Sequence, residues 1–444
     1  MSHMQTPTLS RGGPSDDHEH FSGIQGLRFV AALLVVVTHT VFYAHERLDP
    51  SFRPWSYGSV GVDIFFAISG FVMMQSVRRL EGTPRAWKTF ARRRLHRIVP
   101  LYWIATTIKV LSLVLVPSAV LHATLEPANT LGSYFFIPTR NAEGNIEPVL
   151  GVGWTLVFEM AFYALVALCL VLRVRVLPTV AVVLVSCAAL WWAFDAARPA
   201  WAVYFDPIIL FFLIGMVTAE LTRPARRGWL WAALAVSLVA LAVVLVVPVG
   251  DGGFGRNAPA RFASVTAIIV ATVLAEHPLR RVTPAWVLTG GAASYALYLF
   301  HPLVAPAVPE ALSRLGLIEG WLSVLVSIPL LVFMSFVIHR RVERPIAGAL
   351  ARRGRDPRRP HPSEPQKAPP GRAEGFTGHA HDDPSELTTG GVHVPRSRTL
   401  RQRLPRDHEL QFPRPQGQDI SRSAKPNTPP EAARQAQTTI PPGR

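Results

Sequence analysis

The chain is poor in cysteine. Among 444 residues it has only Cys169 and Cys187. Both fall inside long apolar runs, so they read as small buried hydrophobes without a redox role. Charged residues are sparse, and acids are the scarcer sign, 29 against 45 lysines and arginines. No glycine-rich nucleotide loop and no serine nucleophile elbow occurs, which argues against P-loop, dinucleotide-binding and α/β-hydrolase chemistry. His18, His20 and the histidines of the C-terminal stretch lack metal-ligand spacing, so no metal is expected. No internal repeat is visible, which weighs against an inverted-repeat transporter. The first apolar run lacks a basic leader and a cleavage site, so it reads as a retained helix and not a signal peptide.

Apolar residues make up 49% of the chain. Mean hydropathy is +0.26 although the last fifth is polar. Runs of about 20 apolar residues are long enough to cross a bilayer. Ten are expected, near 24–45, 59–77, 98–117, 152–172, 177–194, 205–221, 229–248, 262–277, 286–308 and 320–339. The fold class is therefore all-α, a polytopic membrane protein.

The net charge of +16 does not point to nucleic acid, because the arginines are distributed by loop. Arg78, Arg79, Arg85, Lys88, Arg92, Arg93, Arg94 and Arg97 follow the second run. Arg173 and Arg175 follow the fourth, Arg223, Arg226 and Arg227 the sixth, Arg280 and Arg281 the eighth, and Arg340, Arg341 and Arg344 the last. The alternate loops are poorer in base. The positive-inside rule then places both termini in the cytoplasm, which requires an even number of spans. Residues 1–23 and 352–444 have too little apolar content to offset the entropy of ordering and are expected to be disordered. That leaves 24–345 as the membrane domain. The basic C-terminal stretch suits an anionic inner leaflet.

Five places put polar groups where lipid penalises them. Arg28 and His39 share the first run. Asp63 lies in Gly61-Val62-Asp63-Ile64-Phe65-Phe66-Ala67-Ile68-Ser69-Gly70. A basic stretch, Arg92-Arg93-Arg94-Leu95-His96-Arg97, leads directly into the third run. Glu159 lies in Gly153-Trp154-Thr155-Leu156-Val157-Phe158-Glu159. The fifth place is Ser294-Tyr295-Ala296-Leu297-Tyr298-Leu299-Phe300-His301-Pro302.

Taken in this order, these motifs resemble the acyltransferase-3 family of integral membrane O-acyltransferases over roughly residues 22–345. The Trp154-to-Tyr163 variant is most similar to the exopolysaccharide-production acetyltransferase branch. The family's pattern of arginine, ten residues and histidine falls on Arg28 and His39, and its Arg-Arg-x-x-Arg pattern on Arg93, Arg94 and Arg97. The resemblance implies transfer of an acyl group, usually acetyl, from cytoplasmic acyl-coenzyme A, a co-substrate and not a tightly bound cofactor. The implied acceptor is a glycan hydroxyl, for example on an exopolysaccharide or its lipid-linked precursor. It implies a bacterial inner-membrane location, with membrane lipids, donor and saccharide as partners and no nucleic acid.

The residues themselves fit that scheme and leave alternatives open. His39 is either a general base, or the carrier of a transient acyl group, or a hydrogen-bonding residue between helices. Arg28, Arg94 and Arg97 suit coenzyme A phosphates or a developing oxyanion, because guanidinium forks match phosphate. The alternative for Arg93, Arg94 and Arg97 is that they are topology signals only. Glu159 is either catalytic or the partner of an interior arginine. Asp63 is expected to orient His39 through one ring nitrogen. Trp154, Tyr298 and His301 are expected to bind the acceptor, with His301 at a helix break made by Pro302 or simply packed. Lys109 departs from an apolar pattern with no motif behind it, and His96 is incidental. The rival functions are a lipid-linked glycan transporter without acyl chemistry, an acyltransferase for a non-glycan hydroxyl, and a membrane scaffold that has lost activity.

Overall fold

The computed structural model describes residues 21–116, 125–194, 199–221 and 258–353. All of these fall in one unit that ends at Pro362. The described residues contain helices and connecting turns and no strand. Helices occupy every expected span position except 229–248, which lies outside the described residues, as does the C-terminal stretch from 354.

Helix α1 runs over Ser22–Arg47, α2 over Val60–Leu80 and α3 over Ala86–Leu115. A short α4, Pro127–Phe135, precedes α5, Trp154–Leu172. Then come α6, Val176–Leu190, α7, Leu210–Leu221, α8, Ala258–Leu274, and α9, Glu276–Val282. The last group is α10, Ala285–Val304, α11, Ala307–Arg314, α12, Gly320–Ile338, a π-helical turn at His339–Glu343, and α13, Arg344–Arg353.

Among the described residues, six segments are long and apolar enough to cross a membrane, or seven if the α8–α9 pair, bent by 72°, is one span. Helices α6 and α7 are apolar but shorter. At about 1.5 Å per residue, the 15 residues of α6 fall short of a 30 Å hydrocarbon core. The chain is a multi-pass, all-α membrane protein.

Several boundaries differ from those read in the sequence, each for a physical reason. Helix α1 starts at Ser22, inside the segment expected to lack structure. The carboxylate of Glu276 in α9 accepts the backbone N–H groups of Ser22 and Gly23 at 2.6 and 2.9 Å. It thereby satisfies donors that a helix start leaves open. Helix α3 begins at Ala86, so Arg92 to Arg97 lie on helix turns and not in a loop. At the far end the helix continues to Arg353, past the expected edge at 345, because 344–353 is rich in good helix formers. Pro302 does not break α10, which runs on to Val304; a proline so near the end of a helix removes only the hydrogen bond to Tyr298.

In lipid, helices associate through close packing and not through release of water. The α2–α7 crossing shows this. A Cβ on Gly70 would sit 1.9 Å from the Phe212 carbonyl oxygen, and one on Gly215 would sit 1.8 Å from that of Ala67. Only glycine lets the two backbones meet there. Phe212, fully buried, then stacks on Phe66 at 4.7 Å and on Phe162 at 4.2 Å between ring centroids. This packed layer carries α2 and α5, and with them Ser69 and Glu159, to the centre of the bundle.

Candidate functional site

Arg28 and His39 are eleven positions apart on α1. That is about three full turns, so both lie near one face, roughly 16 Å apart along the axis. Each opens onto its own cavity.

The inner cavity, about 80 Å³, is lined by Arg28, Arg94, Arg97, Glu159, Ser69, Tyr163, Ser294, Tyr295 and Tyr298. The periodicity of α3 explains the choice of arginines. Arg94 and Arg97 are three positions apart and share a face with Ile98 and Leu101. Arg93 is exposed and absent from the lining. The Arg94 guanidinium donates to the Ser76 hydroxyl and lies 5.7 Å from the Phe90 ring centroid and 6.0 Å from that of Tyr163. Glu159 accepts hydrogen bonds from Ser69 at 3.0 Å and from Tyr163. Tyr295 donates to the Ile98 carbonyl at 2.8 Å, tying α10 to α3. Arg28 is buried and makes no hydrogen bond or salt bridge with the described residues. Three guanidinium groups against one carboxylate make this cavity a place for an anion.

The outer cavity is larger, about 900 Å³. His39, Trp55, Lys109, Asn129, Glu147, Trp154 and Tyr298 are on its walls. The Nδ1 of His39 sits 2.9 Å from the Val35 carbonyl oxygen. A carbonyl only accepts, so Nδ1 carries the proton and Nε2 keeps its lone pair. His301, fully buried, lies against His39 with ring centroids 4.8 Å apart. Its Nδ1 is 3.2 Å from the Leu297 carbonyl, and its Nε2 is buried without a hydrogen-bond partner.

The two cavities share two wall residues, Val62 and Tyr298. Tyr298 is held firmly. Its hydroxyl donates to the Val152 carbonyl at 3.0 Å and is 2.9 Å from the Thr155 hydroxyl. Trp154 packs edge-on against Phe66 and Phe158 beside the same junction.

One wall of the outer cavity is the 127–149 segment, which is folded and not a bare loop. Asn129 donates to Thr139 at 3.1 Å and to the Glu147 carbonyl at 2.8 Å, while the Val149 N–H donates to Ser133 at 2.9 Å. The Trp103 indole donates to the Tyr134 carbonyl at 2.9 Å, anchoring the segment on α3. Burial, and then the neighbouring Glu143, push the Glu147 carboxyl above its ordinary range.

Asp63 does not orient His39. It is fully buried and ion-paired with Arg261 of α8, and the Val35 carbonyl fills the orienting role instead. Arg261 stood unnoticed at the edge of an expected loop; its one sequence signal is a lone arginine directly abutting an apolar run. Sequence reasoning also missed Asn129 and Glu147, which carry no motif, and the His339–Glu343 contact of 2.8 Å in the π-helical turn.

A family model for the acyltransferase domain matches residues 21–340, the stretch that holds both cavities. The chain belongs to the acyltransferase-3 family. It is 34% identical over 284 residues, 62% of this chain and 85% of the relative, to the exopolysaccharide production protein ExoZ of Rhizobium meliloti (strain 1021). It is 26% identical over 346 residues, 70% of this chain and 89% of the relative, to nodulation protein 10 of Rhizobium leguminosarum bv. viciae. It is also 28% identical over 153 residues, 32% of this chain and 36% of the relative, to the acyltransferase MdmB of Streptomyces mycarofaciens. No solved structure matches it. The chain is thus an acyltransferase of the membrane, as the order of its motifs led us to expect.

Proposed function

We propose that this acyltransferase moves an acyl group, acetyl in the simplest case, from cytoplasmic acyl-coenzyme A to a hydroxyl of a glycan such as an exopolysaccharide or its lipid-linked precursor. The observation that carries the reading is the pair of cavities that have Val62 and Tyr298 as common wall residues, one cationic and one holding His39. Phosphates of the donor suit the three arginines of the inner cavity. A sugar suits the outer one, whose size is that of a small-molecule pocket and whose walls mix indoles with amides and charged groups. The name of the relative ExoZ supports the acceptor class.

The acceptor hydroxyl oxygen attacks the thioester carbonyl carbon while Nε2 of His39 takes the hydroxyl proton. The C–O bond forms and the carbonyl becomes an oxyanion, a charge that guanidinium groups stabilise, with Arg28, Arg94 and Arg97 as the candidates. Collapse breaks the C–S bond, and the coenzyme A thiolate receives the proton from His39. The products are the acyl ester and free thiol. The Val35 carbonyl stabilises the imidazolium between the two transfers. Glu159, held by Ser69 and Tyr163, balances charge among the arginines.

This reading places both termini in the cytoplasm of a bacterial inner membrane, so that the arginines meet the donor. Purified protein should hydrolyse or transfer from acetyl-coenzyme A, and surface glycan from a deletion strain should lose acyl mass by mass spectrometry. Reporter fusions after residues 130 and 350 should read periplasm and cytoplasm respectively. A periplasmic signal after 350, or unchanged glycan mass with an inert purified protein, would overturn the reading.

A further inference from the structure

Helix α1 walls the outer cavity over several turns. Val35, His39, Tyr43 and Arg47 all line it. They stand at every fourth position and so share one face of the helix. From His39 to Arg47 that face rises about 12 Å, more than the width of one sugar ring. Ile108, Ser112 and Leu115 line the same cavity over two turns of α3. The cavity is thus a cleft drawn out along both helices, and a single sugar beside His39 leaves most of its volume of about 900 Å³ empty. Tyr43 and Trp55 line the cleft and take no part in the acyl-transfer steps. Tyr43 is one turn, about 6 Å, outward of His39 on the same face. Its ring is half-buried, packed on the core beside Phe29 and Val36 and edge-on to Phe42 with centroids 5.4 Å apart. Its hydroxyl makes no hydrogen bond with the described residues, although a phenol can both donate and accept. Trp55 belongs to the connection after α1, which folds back onto that helix: Gly58 lies so close to the Leu34 carbonyl that no Cβ fits between them. Three residues reach at most about 11 Å, so Trp55 is held near the stretch of α1 that carries His39 and Tyr43. Its indole is half-buried and edge-on to Tyr57 with centroids 6.1 Å apart.

We propose that Tyr43 and Trp55 form a second sugar subsite outward of His39, so that the acceptor is an oligosaccharide of at least two linked sugars and not a single sugar. This rests on the acyltransferase reading above and narrows its substrate class. The sugar that is acylated sits against His39. Its neighbour lays the C–H face of its ring on the Trp55 indole and bonds a rim hydroxyl to Tyr43, a pairing that suits the apolar body and polar edge of both partners. The neighbouring sugar does not react. Its binding energy holds the reacting hydroxyl in place before Nε2 of His39, so a truncated acceptor loses turnover as well as affinity.

The test is acyl transfer from acetyl-coenzyme A by the purified full-length protein in detergent. The acceptors are mono-, di-, tri- and tetrasaccharide fragments of unacylated glycan from a deletion strain. The monosaccharide chosen is the sugar that takes the acyl group in the tetrasaccharide, located by mass spectrometry. The value of kcat/KM should rise about tenfold or more from the monosaccharide to the longer fragments. Tyr43→Phe should cut that advantage several-fold, and Trp55→Ala by about tenfold, while Trp55→Phe keeps most of it. The advantage is a ratio of two rates from one preparation, so partial misfolding does not mimic its loss. Trp321 is an exposed indole off the cavity, and Trp321→Ala should leave the ratio as in wild type. A monosaccharide used as well as the longer fragments overturns the proposal, as does an advantage that survives both Tyr43→Phe and Trp55→Ala. Should Trp55→Ala fail to fold, Tyr43→Phe, which removes one oxygen atom, decides the matter. The parent reading fails separately: no acylated fragment of any length removes the glycan acceptor and the subsite with it, whereas acylation without a length advantage removes the subsite alone.

Discussion

His39 and His301 face each other across the α1–α10 contact with ring centroids 4.8 Å apart, and each hydrogen-bonds through Nδ1 to the carbonyl four residues before it. The two rings are therefore in the same tautomer, and each keeps a lone pair on Nε2. Only His39 is on the cavity wall. The role of base falls to His39 by access, and His301 fixes where that ring stands. His39→Ala should lower acyl transfer by on the order of 10²–10⁴-fold with insertion intact. His301→Ala should lower kcat less, and the double variant should be no slower than His39→Ala alone, because both act on one step. Additive losses in steady-state kinetics would separate the two histidines.

The arginines of α3 divide by face. Arg94 and Arg97 line the inner cavity and Arg93 does not. Arg94→Lys combined with Arg97→Lys keeps the positive-inside signal but loses the forked donors. The KM for acetyl-coenzyme A should rise several-fold to about tenfold, with little change for the glycan acceptor. Arg93→Lys should leave both values alone. A donor KM that moves equally in the two variants would mean that net charge, not cavity contact, matters.

The Asp63–Arg261 pair is structural in this arrangement. Asp63→Asn strands a half-buried arginine and should cost on the order of 3–5 kcal/mol of stability, lowering the melting temperature in detergent. Asp63→Asn with Arg261→Met should recover much of that loss. The surviving single-variant enzyme should keep its pH profile, since the carboxylate does not reach His39. A displaced profile would restore Asp63 to the catalytic group.

At the α2–α7 crossing, Gly215→Leu should disrupt packing far more than Gly215→Ala, and both should lower thermal stability, because even a Cβ overlaps the Ala67 carbonyl. Overpacking of this kind costs about 1–3 kcal/mol or more. Wild-type melting in the alanine variant would show that the helices can separate without penalty.

The legible part of the molecule was that in which one residue carries its own signal. A charge inside an apolar run announces itself, so Arg28, His39, Asp63 and Glu159 stood out. The Arg-Arg-x-x-Arg pattern singled out Arg93, Arg94 and Arg97 together; that α3 starts at Ala86 and leaves Arg93 exposed could not be read from a basic stretch that also suits a loop. Relations between distant residues left no trace. The Glu276 carboxylate that starts α1 lies about 250 positions away from it, and Arg261, the partner of Asp63, lies on a helix joined through residues with no polar pattern. Lys109 was visible as an anomaly in an apolar run, and only the fold puts it on the wall of the larger cavity.

The position of Arg28 and His39 on one uninterrupted helix makes α1 a fixed gauge. The distance between the two cavities is written in the primary structure as a count of residues and cannot be adjusted by moving loops. A single residue inserted between them would turn His39 by about 100° and lift it by about 1.5 Å, away from His301 and off the cavity wall, while leaving hydropathy and topology unchanged. Tolerance of donors with longer acyl chains must then come from the walls around the junction, Val62 and Tyr298 foremost, and not from the gauge itself.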